Sequence, residues 1–182
     1  TRLKMAVSQW DAIKAAFNIF QDKYGAIPGD YNQAQTFISA DITNQGNGNG
    51  IVGATITALP LRSALGTAAV GNEHRAAWEH LHYSSLLSSV INDGANWDLQ
   101  SRIPGTYFNI LYATMNLGAA NEKTSHWLRL QSGPGIAART LNPLSGKEAA
   151  EIDRKYDDGE EASGIIRGDT GITGGTCTYG TS

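Results

Sequence analysis

A chain of 182 residues is long enough for one domain with its own hydrophobic core. Charged residues make up only 17% and the formal charge is −3, with no basic stripe visible, which argues against a polyanionic partner such as nucleic acid. The 21 glycines, with plentiful Asn, Thr and Ser, suit an extracellular surface protein, and the single cysteine, Cys177, cannot close an intrachain disulfide.

Large apolar side chains fall at Leu3, Val7, Trp10, Ile13, Phe17, Phe20 and Tyr24. Steps of three and four place them on one face of an α-helix. The pattern stops at Ile27-Pro28-Gly29-Asp30, where proline and glycine end a helix. The spacing thus predicts a long amphipathic helix over residues 1–27. Either the chain is simply soluble or a segment was removed ahead of Thr1, and removal is expected because Leu3 and Val7 already continue a helical stripe. Within the chain, no stretch approaches the roughly 20 apolar residues of a membrane span.

Ala34 to Ala40 is expected to form a short helical turn. Residues 41–50 are a low-complexity polar loop, expected to be exposed. Residues 51–60 have no decisive pattern. A second helix is predicted over Glu73–Ile91, with Asn72 as N-cap, an apolar face of Ala77, Trp78, Leu81, Leu86, Leu87 and Val90, and a stop at Asn92-Asp93-Gly94. The uncharged run from Tyr107 to Leu117 and the segment from Ser125 to Leu130 read as strands. Ser145 and Glu148 form an S-x-x-E capping box that starts a third helix, with Ala149, Ile152 and Tyr156 on one face and Asp157-Asp158-Gly159 as its end. Two short strands are predicted beyond it, near 163–168 and 176–179, with Cys177 a small apolar residue on the second. This order of elements is α+β.

Three segments carry a family resemblance: Phe17–Ala34 (FNIFQDKYGAIPGDYNQA), Glu73–Leu81 (EHRAAWEHL) and Glu151–Gly159 (EIDRKYDDG). They resemble, in order, the exit of the long N-terminal helix, an "E…aW.HL" helix and an "ID.K.DDG" turn of type IV pilin-like proteins. That group includes bacterial pilins and type II secretion pseudopilins. The resemblance implies a single pilin-like domain over 1–182: helix (1–27), connecting region with a second helix (28–106), then sheet and C-terminal loops (107–182). It implies a long N-terminal helix packed on a small antiparallel sheet. It also implies an apolar anchor ahead of this chain, an inner-membrane precursor, contact with assembly or secretion machinery there, and a destination at the bacterial surface or in the periplasm.

A helix with Leu3, Val7, Trp10, Ile13, Phe17 and Phe20 on one side has two partners to choose from. Its C-terminal half can pack on its own sheet, and its N-terminal half can pack on copies of itself. Head-to-tail association that does not close gives a helical filament. Loops 41–50, 94–106 and 131–143 would then decorate the filament. The expected function is structural, a pilus or pseudopilus subunit. A secreted binding module that never polymerises is the alternative, and no enzyme activity is expected.

Several spellings invite chemistry. Gly48-x-Gly50-x-x-Gly53 matches a dinucleotide fingerprint, but it lacks the strand before and helix after that would aim N–H groups at a pyrophosphate. Asp41, Asn44, Asn47 and Asn49 offer oxygens with only one carboxylate, whereas calcium prefers several. Asp153, Asp157 and Asp158, with Glu160 and Glu161 following, crowd like charges together. Arg154, Lys155 and Arg167 could neutralise them, or calcium could, as in the C-terminal loop of some pseudopilins. No cofactor is required. His74, His80, His82 and His126 lack zinc-protease spacing and read as surface or helix-packing residues. Arg167-Gly168-Asp169 spells an adhesion tripeptide, which a turn between strands also explains.

Overall fold

The computed structural model describes residues 2–53, 72–93, 97–115, 123–134, 143–160 and 164–166. Its elements run α1 (Arg2–Tyr24), α2 (Ala34–Phe37), α3 (Glu73–Tyr83), β1 (Val90–Asn92), β2 (Trp97–Gln100), β3 (Thr106–Met115), β4 (Lys123–Ser132) and α4 (Gly146–Tyr156). The strands form an antiparallel meander in the order β1-β2-β3-β4. The architecture is therefore α+β, with an N-terminal helix and a small four-stranded antiparallel sheet.

The periodic face of α1 turns inward. Ile13, Ala16 and Phe20 join Trp78 and Leu81 of α3, Trp97 and Leu99 of β2, and Phe108 of β3 in one buried cluster. Trp10, Phe17 and Tyr24 pack at its margin. Phe17 meets Trp78 edge-on, with ring centroids 6.4 Å apart. Each fully buried side chain of this size stabilises the fold by about 1.5–3 kcal/mol. A second cluster joins Val52, Ala77 and Ile110, with Phe17 and Ile27 against it. Gln9 ties α1 to the β2–β3 corner in both directions: its Nε2 donates to the Gln100 carbonyl at 2.8 Å, and its Oε1 accepts from the Arg102 N–H at 2.9 Å.

Four expectations are corrected. The first helix ends at Tyr24, not at residue 27, because Gly25 takes a left-handed φ of 65° and donates its N–H to the Gln21 carbonyl. The second helix ends at Tyr83. The N–H groups of Leu86 and Leu87 fold back to the Leu81 carbonyl, and Val90 and Ile91 enter β1 instead of prolonging the helix. Serines at 84, 85, 88 and 89 favour that break, since their hydroxyls compete for backbone bonds. Asn72 occupies the N-cap position, but its side chain makes no capping bond. Residues 94–106, expected as a loop, contain β2, whose Trp97, Asp98 and Leu99 are buried, so the sheet begins at Val90 and not at 107.

The strand expectations for 107–117 and 125–130 correspond to β3 and β4, paired from Thr106↔Ser132 to Met115↔Lys123. Both faces of β3 are buried: Phe108 and Ile110 on one, Asn109, Leu111 and Ala113 on the other. That explains a run without charge. On α4 the capping box is present, but the buried residues are Ala150, Ile152 and Asp153, while Tyr156 is exposed. Residues 164–166 form a bend, and the rest of the two C-terminal strand expectations, with Cys177 and Arg167-Gly168-Asp169, lies outside the described residues.

Candidate functional site: a carboxylate-held loop and an acidic turn

The polar loop 41–53 has no regular secondary structure, so its amide groups need partners elsewhere. Three buried carboxylates supply them. Asp30 Oδ1 accepts the N–H groups of Gly48 and Asn49 at 2.8 and 3.0 Å, and its Oδ2 accepts that of Gly50 at 2.7 Å. Glu73 accepts from Asn47 and Gly53 at 2.9 and 2.6 Å. Glu79 accepts from both the backbone and the side chain of Thr43 and of Asn44, at 2.6–3.0 Å. Glu73 opens α3 and Glu79 lies in its middle, so one helix fixes both anchors.

Two histidines complete the cradle. His80 Nδ1 accepts the Gly29 N–H at 3.0 Å, and Nε2 lies 2.9 Å from the Asn44 carbonyl. His126 Nε2 accepts the Val52 N–H at 3.2 Å. Burial lowers the pKa of both rings below 6.5. The same cause raises Glu73 above 4.5, against the opposing pull of its bonds to Gly53 and Asn47.

These contacts settle the chemistry of the loop. The amides that the glycine-rich spelling would offer to a pyrophosphate are already bound by Asp30. Asn47 and Asn49 turn their side-chain oxygens onto the N–H groups of Asn49 and Ile51, and Asn44 directs its amide at Glu79. The loop side chains are largely exposed, as expected, but its backbone is anchored. The histidine expectation holds only as packing: His74 and His80 are buried, His82 contacts Trp97, and His126 contacts Tyr112.

The acidic turn is the second candidate. Asp153, on α4, is fully buried, and Asp157 is the C-cap of that helix, its N–H donating to the Asp153 carbonyl. Asp157 Oδ2 accepts the N–H groups of Ile165 and Ile166, Asp153 Oδ1 accepts that of Gly159, and Asp158 Oδ1 accepts that of Glu160. One oxygen from each of Asp153, Asp157 and Asp158 can lie within 4.8 Å of the others. Three convergent carboxylates fit a hard divalent cation such as calcium in donor type, and they supply part of the six to eight oxygens it takes. Their backbone bonds would keep the turn folded around such an ion.

No protein family, curated protein or solved structure matches this chain. The site therefore rests on its own geometry. Among the described residues, no helix is long and apolar enough to cross a membrane.

Val7, Ile13 and Phe20 are buried, and Leu3, Trp10 and Phe17 are half-buried. The other flank of α1 went unnoticed in the sequence. Met5, Ser8, Ala12, Ala15 and Ile19 repeat at three- and four-residue steps, carry no charge and are all exposed. Met5 is 52% and Ile19 50% exposed. Alternation of three and four was the available signal, masked by the bulkier stripe beside it.

Proposed function

We propose that this chain is a structural subunit of a type IV pilus-like filament, at the bacterial surface or in the periplasm, that assembles through its N-terminal helix. The observation that carries the reading is the uncharged flank Met5-Ser8-Ala12-Ala15-Ile19, left exposed while the opposite flank of the same helix holds the domain together. Small residues let helix backbones approach, and steps of three and four are the spacing by which helices interlock. The sequence resemblance in Phe17–Ala34, Glu73–Leu81 and Glu151–Gly159 supports the same role, as does the α+β order of an N-terminal helix followed by a small antiparallel sheet. The role is structural, with inner-membrane assembly or secretion machinery as the further partner. A pseudopilin would use the same helix in the same way.

The test is to place Glu at Met5 and Ile19 in the full-length protein and to look for filaments by electron microscopy. Loss of filaments with an unchanged circular-dichroism melt supports the proposal. Filaments of normal length from the double variant would reject it. The acidic turn favours a second reading, a secreted calcium-stabilised binding module that stays monomeric. Sedimentation of the full-length protein as a single small species under all conditions would favour that reading.

A further inference from the structure

We propose that His80 and His126 form an acid-sensitive latch that releases residues 43–53 from α3 and the sheet when the two rings take up protons. The inference stands whether or not the protein polymerises, because it rests on the hydrogen-bond direction and burial of two rings inside this domain.

His80 faces a carbonyl through Nε2 and an N–H through Nδ1. The proton must therefore sit on Nε2, and Nδ1 must offer its lone pair. A second proton can go only on Nδ1, where it would point at the Gly29 N–H. His126 has the same constraint, since its Nε2 accepts the Val52 N–H. The closed arrangement thus needs both rings neutral. The two rings hold opposite ends of one segment, His80 at Gly29 and Asn44, His126 at Val52.

The groups around each ring pull in different directions. The Asn44 carbonyl and then Glu79, on the same helix as His80, favour its protonation, while the Phe20 ring of α1 stacks on it at 6.0 Å. Asp30 favours protonation of His126, whose ring contacts Tyr112 of β3 at 4.9 Å. For both histidines burial outweighs the carboxylate. A folded-state pKa below 6.5 means that the open form binds protons more readily. The closing free energy is fully present above 6.5 and is lost as pH falls from there through the lowered values. Glu73 acts in the opposite sense: its raised pKa makes the closed form the better proton binder, so it cannot cause opening in acid.

Amide hydrogen exchange of the whole chain, followed by NMR at about pH 7.5, 6 and 5 and corrected for intrinsic rates, tests the latch. Protection at Thr43, Asn44, Val52 and Gly53 should fall by up to about tenfold per histidine for each pH unit below 6.5, while β3 amides such as Leu111 keep theirs. His126→Gln keeps an acceptor oxygen that does not titrate, at a partly buried site, and should flatten the response at Val52 and Gly53. Three results would overturn the proposal: pH-independent protection over 43–53 in the parent protein, an equal fall in β3, or an unaltered response in His126→Gln.

Discussion

Gly46 lies so close to Asp30 that a Cβ built on it would come within 2.1 Å of the Asp30 carbonyl carbon. Its N–H reaches the Tyr31 carbonyl at 3.3 Å, and Asp30 in turn binds Gly48, Asn49 and Gly50. Gly46→Ala must push the loop off this backbone. The expected loss is about 1–3 kcal/mol or more, read as a shift in the urea midpoint with an unchanged slope. An unshifted midpoint would mean that the loop does not seat on Asp30 in solution.

The two flanks of α1 should respond oppositely to substitution. Phe20 is fully buried between α1 and α3, so Phe20→Ala should cost about 3–5 kcal/mol of stability. Ile19, the next residue, is half-exposed, and Ile19→Glu should shift stability by no more than about 0.5 kcal/mol while impairing assembly. Equal destabilisation by the two variants in thermal melts would contradict the inward and outward assignment.

Calcium should raise the melting temperature of this domain if the acidic turn holds it. A ligand at about a hundred times its Kd adds roughly 2.7 kcal/mol to the folded state. Asp158→Asn removes one of the three convergent carboxylates and should abolish most of that rise, with little effect in chelator. Identical melts in calcium and chelator for the parent chain would remove the ion from the account.

The cap of α4 makes a pH prediction with a definite sign. Ser145 accepts the Glu148 N–H, and Glu148 accepts the Ser145 N–H at 3.0 Å and pairs with Arg2 of α1. The bond from the Ser145 backbone, then Arg2 and the Ser145 hydroxyl, holds the Glu148 carboxyl below 4.5. Its contribution is present above 4.5 and is lost as pH falls through the lowered value. Ser145→Ala should cost about 1 kcal/mol near neutral pH and less in strong acid. A cost that does not change with pH would separate Glu148 from the cap.

Local pattern was enough for α1, the capped start of α4, the uncharged β3 and the α+β class, because each depends on residues within a few positions of one another. The inward face of α1 was equally plain, since a 3.6-residue period survives whatever it packs against. The end of α3 was not: Leu86, Leu87 and Val90 continue its apolar spacing, and only the return of two N–H groups to Leu81, with Val90 pairing to Leu99, stops the helix. The loop's anchors were hidden for a related reason. Asp30, Glu73, Glu79, His80 and His126 look like ordinary polar residues until folding brings them to amides between 18 and 74 positions away. Period and composition record which side chains avoid water. They carry no record of which distant N–H group a buried carboxylate or imidazole will meet, because that partner is fixed by how helices and strands stack in space.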